Sequence, residues 1–297
     1  DLVYRNVYEA LYCTYDILIM ILIDGKKEAT LLKQNLKKEV SELEKKFKKV
    51  PGLAVILVGN FAPSLIYVKN KKKSADEVGL KSQIIKFPDD VDEKTLLNKI
   101  KELNNNNEVS GILVQLPLPK HISKEKVIET IIPSKDVDGF HPINVGKLSS
   151  GYDCLIPCTP LGCYLLIKKI EPNLIGKKAL IIGRSNLNGK PMAQLLLREN
   201  CTVTVSHSKT SDLKEECLKA DIIVIAVGIP ELMKGDWVKK DAIVIDVGIN
   251  KTEKGIVGDV AFNEVSKNVK ALTPVPGGVG PMTVSYTHLT LPTTTIV

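Results

Sequence analysis

Aromatic residues make up only 5% of the 297-residue chain, with one tryptophan and four histidines. A nucleic-acid binder usually clusters basic residues with stacking aromatics. The lysines here are scattered along helical, solvated faces, so the net charge of +7 points to small anionic ligands and not to nucleic acid. Six cysteines are too few for a disulfide scaffold at this length. Cys154, Cys158 and Cys163 lie close together, but no C-x-x-C pair and no neighbouring histidine completes a metal set. Reduced, half-buried thiols in a cytoplasmic protein are expected. No apolar run reaches bilayer-spanning length, so no membrane association is expected.

What is present is an ordinary globular balance, 44% hydrophobic and 25% charged, in a chain long enough for two domains. Residues 26–48 read as an amphipathic helix. Strand, helix, strand, helix and strand follow at 51–59, 63–79, 81–88, 92–104 and 109–119, the order of a parallel sheet. A helix at 157–170 joins this half to a fresh set. Its strands read at 177–183, 201–207, 220–228 and 242–248, with a helix at 190–199. The fold class expected is α/β with parallel sheets, the second half in the order of a Rossmann-type dinucleotide-binding domain.

The turn after the strand at 177–183 is "GRSNLNGKP", not G-x-G-x-x-G. It still sets Gly183 at a strand end and Gly189 at a helix start, where free N–H groups suit a pyrophosphate. The next strand ends "SHSKT", with no carboxylate to hold ribose hydroxyls as an NAD site usually does. Arg184 and Ser208 together suit a 2′-phosphate, which favours NADP. Both residues would equally serve to cap and solvate loop ends.

In the first half, Ser64, Tyr67 and Lys71 share one helix face by their spacing. A tyrosine aligned with a lysine can shield and orient its amine for proton transfer. Most lysines in such a run are simply solvated. Gln115 stands at the carboxyl end of a parallel strand, where ligands bind in open α/β sheets. Asp136 and Asp138, beside Gly139, lack the further ligands of an EF-hand. An aspartate there would suit the N–H donors of a fused heterocycle, or an Asx-turn at the domain junction. Finally "TPVPGGVGPMT" packs three prolines and three glycines into residues 273–283. That composition makes a stiff loop with little side-chain bulk, suited to close approach of its backbone to another group.

Five stretches together resemble one family: "YVKNKKKSADEVG", "GILVQLPLP", "KDVDGFHPINVGKL", "GRSNLNGKPMA" and "TPVPGGVGPMT". Their order and spacing over about residues 20–283 are similar to bifunctional methylenetetrahydrofolate dehydrogenase/methenyltetrahydrofolate cyclohydrolase. The resemblance implies two αβα domains flanking a cleft, the second a Rossmann-type domain carrying NADP as cofactor, tetrahydrofolate derivatives as substrates, and a cytoplasmic homodimer formed through the cofactor domains. It implies a catalytic lysine at Lys71, folate stacking at Tyr67, tuning of Lys71 by Gln115, and pterin binding at Asp138. Ser64, Leu116, Pro117, Pro276, Gly277 and Gly278 would complete the substrate side. Arg184 and Ser208 would read the 2′-phosphate, and Thr159, Gly183, Ser185, His207 and Ile249 would line the cofactor cleft. No metal is implied. On this reading residues 20–157 form the folate-binding catalytic domain and 158–283 the NADP-binding domain.

The ends depart from the pattern. Residues 1–19 hold four of the eight tyrosines and read as an extension outside the fold. Residues 284–297, "VSYTHLTLPTTTIV", show no helical apolar stripe and read as an artefactual tail in place of a packing helix. Asn188 stands where the family usually has an apolar residue. Two alternatives stay open: a dehydrogenase-only relative using NAD, and a non-catalytic folate- or nucleotide-binding protein.

Overall fold

The computed structural model describes residues 20–253 and 255–289, with side chains through Ser285. Residues 1–19 and 290–297, and the expectations about them, lie outside the described residues.

The chain enters through β1 (Ile21–Leu22) and α1 (Gly25–Phe47), whose first turn is capped by Asp24 accepting from Lys27 N at 3.0 Å. There follow β2 (Gly52–Val58), α2 (Ala62–Val78), β3 (Lys81–Phe87), α3 (Glu93–Asn104) and β4 (Gly111–Val114). All seven residues of β2 are buried, as an apolar run between two parallel neighbours must be. The sheet order is β3-β2-β4. One face packs on Leu36, Val40, Val68 and Val78 from α1 and α2. The other packs on Leu96, Ile100 and Leu103 from α3. Short helices α4 (Lys124–Thr130) and α5 (Pro142–Ser149) then lead to the connecting helix α6 (Cys158–Ile170).

The second half runs β5 (Lys178–Ile182), α7 (Gly189–Arg198), β6 (Thr202–Ser206), α8 (Leu213–Lys219), β7 (Ile222–Ile225) and β8 (Ile243–Asp246). A hairpin, β9 (Asn250–Thr252) with β10 (Gly255–Val257), precedes α9 (Phe262–Val265), β11 (Ala271–Leu272) and α10 (Val279–Leu289). The six-stranded parallel sheet has the order β1-β11-β8-β7-β5-β6. Its outermost strand, β1, comes from the very start of the described chain and pairs Ile21 with Ala271. The expected boundary, with residue 20 opening the first domain, is therefore corrected. Residues 21–22 belong to the second sheet, and the chain crosses to the first domain only along α1. Two residues of strand carry too little periodicity to reveal this.

The chain after Thr283 also differs from expectation. Helix α10 continues to Leu289 and packs against α6, α1 and α2. Met282 is buried at 3% exposure and Ser285 at 1%, with Ser285 Oγ donating back to Pro281 O at 3.1 Å. Burial against three helices holds these residues helical where their own pattern is weak.

The thiols are more deeply buried than half. Among the described residues Cys158, Cys163, Cys201 and Cys217 are buried and Cys154 partly so, all unbridged. Burial pushes the Cys217 thiol up to about 12. No group of metal-ligating side chains occurs among the described residues, and none of their helices is long and apolar enough to cross a membrane.

Candidate active site

The carboxyl ends of both sheets face one cleft with a cavity of about 320 Å³. Tyr67, Lys71, Gln115, Leu116 and Asp138 line it from the first half, and Thr159, Leu187, Asn188, Val247 and Ile249 from the second. Seven of the site residues expected from the sequence thus meet there: Tyr67, Lys71, Gln115, Leu116, Asp138, Thr159 and Ile249.

Lys71 sits one turn beyond Tyr67 on α2. It is only 7% exposed, and its amine makes no hydrogen bond among the described residues. Tyr67, on the same wall of the cavity, is 37% exposed. Ser64 is buried at the start of α2 and does not line the cavity; its hydroxyl donates to Leu116 O at 3.4 Å. It ties the helix to the loop after β4. Pro63 in the first turn removes a donor that would have had no helical partner anyway.

Gln115 follows β4, its backbone N donating to Ile56 O at 2.9 Å. Its side-chain Nε2 donates to Leu116 O at 2.9 Å, while Oε1 is buried without a hydrogen-bond partner. A buried orphan acceptor costs stability unless something else satisfies it, so this residue of the cavity wall keeps hydrogen-bonding capacity to spare. The Leu116–Pro117 peptide is cis, and Pro117 lies outside the cavity wall.

The two aspartates part company. Asp136 is 2% exposed and structural: its Oδ2 accepts from His141 N at 2.7 Å and Asn144 Nδ2 at 2.9 Å. Asp138 is half-buried and faces the cleft. Burial pushes its carboxyl above the usual range, the Lys71 charge pulls it back, and Asp136 raises it further. Sequence reasoning missed the anchor of this loop. Lys135, 6% exposed, donates to Leu103 O, Asn104 O and Asn106 O at 3.1, 2.7 and 2.9 Å. It closes the carboxyl end of α3, and burial lowers its pKa.

On the other wall, Gly183 ends β5 at φ +115°, and a Cβ there would lie 2.6 Å from Ala226 O. Gly189 opens α7 so close to Gly183 O that any side chain would overlap it. No side chain caps α7; Lys190 N donates to Ser185 O at 3.1 Å, Pro191 has no N–H, and Gly189 N stays open among the described residues. Arg184, Ser185 and Ser208 are exposed beside these strand ends, and His207 is half-buried; none of the four lines the enclosed cavity. Ser185 Oγ accepts from Asn188 N at 3.1 Å and His207 N donates to Thr210 Oγ1 at 3.0 Å, so both also shape their turns. Ser206 Oγ is buried without a partner at the end of β6. The open Gly189 N, the exposed Arg184 cation and Ser208 hydroxyl, and a strand end at β6 with no adjoining carboxylate fit a phosphorylated dinucleotide.

The loop 273–278 has a second reason to be thin. The Val275–Pro276 peptide is cis and Gly277 adopts φ +110°. Gly277 O accepts from Lys26 N at 3.1 Å, and Gly278 lies so close to Gly25 that a Cβ on Gly25 would overlap its carbonyl. Pro276, Gly277 and Gly278 brace the first turn of α1 and do not line the cavity; Val279, Gly280 and Thr283 do. Sequence reasoning missed Thr283, whose hydroxyl lies 3.1 Å from that of Thr159, as well as Phe140 and Val247. A threonine in a helical run gives no sign of facing a cleft.

Residues 23–138 match the tetrahydrofolate dehydrogenase/cyclohydrolase catalytic domain, and residues 157–293 its NAD(P)-binding domain. The bifunctional protein FolD of Pelagibacter ubique (strain HTCC1062) is 74% identical over 266 residues, covering 90% of this chain and 95% of that protein. Among solved structures, the bifunctional FolD of Campylobacter jejuni superimposes with a TM-score of 0.91 at 48% identity, covering 93% of this chain and 98% of the other. The Trypanosoma brucei dehydrogenase-cyclohydrolase, complexed with NADP cofactor and inhibitor, gives a TM-score of 0.87 at 37% identity, covering 93% and 97%. The chain belongs to the tetrahydrofolate dehydrogenase/cyclohydrolase family.

Proposed function

We propose that one cleft performs two consecutive reactions on one folate, with Lys71 as the proton-transfer group of the second. The chain is an NADP-dependent methylenetetrahydrofolate dehydrogenase and methenyltetrahydrofolate cyclohydrolase of one-carbon metabolism. The observation that supports the role of Lys71 is its amine, free of hydrogen bonds among the described residues on a largely buried residue, at a cavity that Gln115, with its orphan acceptor, and Asp138 also line.

NADP supplies the hydride acceptor. The methylene carbon between N5 and N10 of the folate gives up hydride and becomes an amidinium cation. This step needs alignment more than a base. Tyr67 covers the ring system and Asp138 takes its N–H donors. Arg184 and Ser208 hold the 2′-phosphate, with Gly183, Ser185, His207, Thr159 and Ile249 around the dinucleotide. Water then adds to the cationic carbon. Lys71 takes the water's proton and returns it to N5 as the C–N5 bond breaks. The product is 10-formyltetrahydrofolate, and one proton is released. Gln115 holds Lys71 and the water through its unspent Oε1.

The edge strand β6, with Val205 40% exposed, and Leu197, 56% exposed on α7, support pairing of two copies through the cofactor domains. Unbridged described cysteines support a cytoplasmic location. Methylenetetrahydrofolate with NADP should give NADPH without build-up of the methenyl product, while NADPH with stoichiometric methenyl would remove the second activity. Light scattering at micromolar concentration should report twice the chain mass, and a monomer would reject the pairing.

A further inference from the structure

We propose that Asp246 and Asp259 are positioning residues for cofactor binding: a pair of buried carboxylates that holds the cofactor wall by gripping backbone N–H groups. This rests on the cleft assignment above. Asp246 is 3% exposed and Asp259 0%, both at the carboxyl-end edge of the second sheet. Among the described residues, no cation is hydrogen-bonded to either carboxylate. Asp246 Oδ1 accepts from Gly248 N at 2.9 Å and Asp259 N at 3.0 Å, and Oδ2 from Val260 N at 3.0 Å. Asp259 Oδ2 accepts from Val227 N at 2.7 Å and Gly228 N at 3.0 Å, and Oδ1 from Asn250 Nδ2 at 2.8 Å.

These bonds join four segments. Val227 and Gly228 follow β7, and residues 247–249 follow β8. Asn250 opens the hairpin, and residues 258–260 return from it. Between the gripped points stand Val247 and Ile249, two side chains of the cofactor wall. Asp246 N also donates to Thr273 Oγ1 at 2.7 Å, and Thr273 abuts Gly278 in the loop ahead of α10. Space around the pair is fully taken. A Cβ on Gly248 would overlap Asp259, and one on Gly258 would overlap Asp246. Ionised acceptors make hydrogen bonds about twice as strong as neutral ones, and they point only one way. The wall thus has a fixed shape although residues 247–249 are not part of a strand.

The chemistry separates the two positions. Every partner of Asp246 is a backbone N–H, so an asparagine there must turn an NH₂ toward one of them. At Asp259, an asparagine can keep Val227 and Gly228 satisfied while Asn250 reorients its own amide. Asp246→Asn should therefore do more harm than Asp259→Asn.

The test uses the full-length chain, with NADP affinity read by calorimetry in the absence of folate. Hydrolysis of methenyltetrahydrofolate is read in the absence of NADP. Asp246→Asn should weaken NADP by about tenfold or more, with hydrolysis falling no more than about twofold. Asp259→Asn should weaken it by less than about threefold. Should Asp246→Asn fail to fold, Asp259→Ser, which retracts the acceptor from Val227 and Gly228, should show the same split. Equal loss of affinity and hydrolysis would make the pair a general fold element and overturn the proposal, as would unchanged NADP affinity in Asp246→Asn or Asp259→Ser. Loss of hydrolysis in the unsubstituted chain would instead strike at the cleft assignment.

Discussion

The two walls of the cleft use buried polar groups in opposite ways. On the folate side, Lys71, Gln115 and Asp138 are withdrawn from water yet keep capacity unspent. The amine has no hydrogen bond among the described residues, one amide oxygen is orphaned, and the carboxyl is pushed up by burial. On the cofactor side, Asp246 and Asp259 commit their oxygens to backbone N–H groups and one amide. Burial alone therefore does not mark a reacting group. A buried group with nothing to bind is a cost that a ligand can relieve, whereas a satisfied one builds shape. Asp136 and Lys135 show the second use within the first half.

Substitutions can break this contrast in order of size. Lys71→Met should remove cyclohydrolase turnover by about 10³-fold while hydride transfer falls less than about tenfold. Single-turnover absorbance of NADPH and the methenyl product separates the steps. Asp138→Ala should raise the folate KM by roughly 10- to 100-fold, because the heterocycle's donors lose their acceptor in a site shielded from water. Steady-state kinetics at saturating NADP reads this. Arg184→Ala should lower the preference for NADP over NAD by about tenfold with little effect on hydrolysis. Paired kcat/KM values with the two dinucleotides check it.

The smallest effect sharpens the cofactor side. Burial raises Asp246 from 3.8 to about 6, against backbone N–H groups that favour the anion. A raised carboxyl pKa means the folded chain holds a proton that the unfolded chain has lost. Its stabilisation is present below about pH 4 and is lost as pH rises through about 6. Asp246→Asn removes that titration. The melting temperature of the unsubstituted chain minus that of Asp246→Asn should grow by about 2–4 °C between pH 7 and pH 5. Thermal unfolding at the two pH values measures it.

Much of this was legible in the sequence, for physical reasons. Long apolar runs such as residues 52–58 and strong 3.6-residue periods such as α3 declare themselves. So did the meeting of Tyr67, Lys71, Gln115 and Asp138, because strand ends and one helix face must converge at a parallel sheet's carboxyl edge. What stayed hidden depends on distant partners. Two residues of β1 become strand only because β11 waits beside them, and the later turns of α10 are helical because three helices cover them. The glycines at 277–278 read as room for a ligand, yet they also admit Gly25 of α1. The roles of Asp246 and Asp259 stayed hidden too, since nothing local distinguishes a carboxylate that collects N–H groups from segments distant in sequence.

The central claim is that unspent polar capacity around Lys71 drives hydrolysis in the same cleft that serves hydride transfer. Its most direct test mixes Lys71→Met with methylenetetrahydrofolate and NADP and follows NADPH and the methenyl product together. The account predicts NADPH formation with methenyl accumulating in equal amount, where the unsubstituted chain accumulates almost none. Hydrolysis continuing at the unsubstituted rate would contradict it.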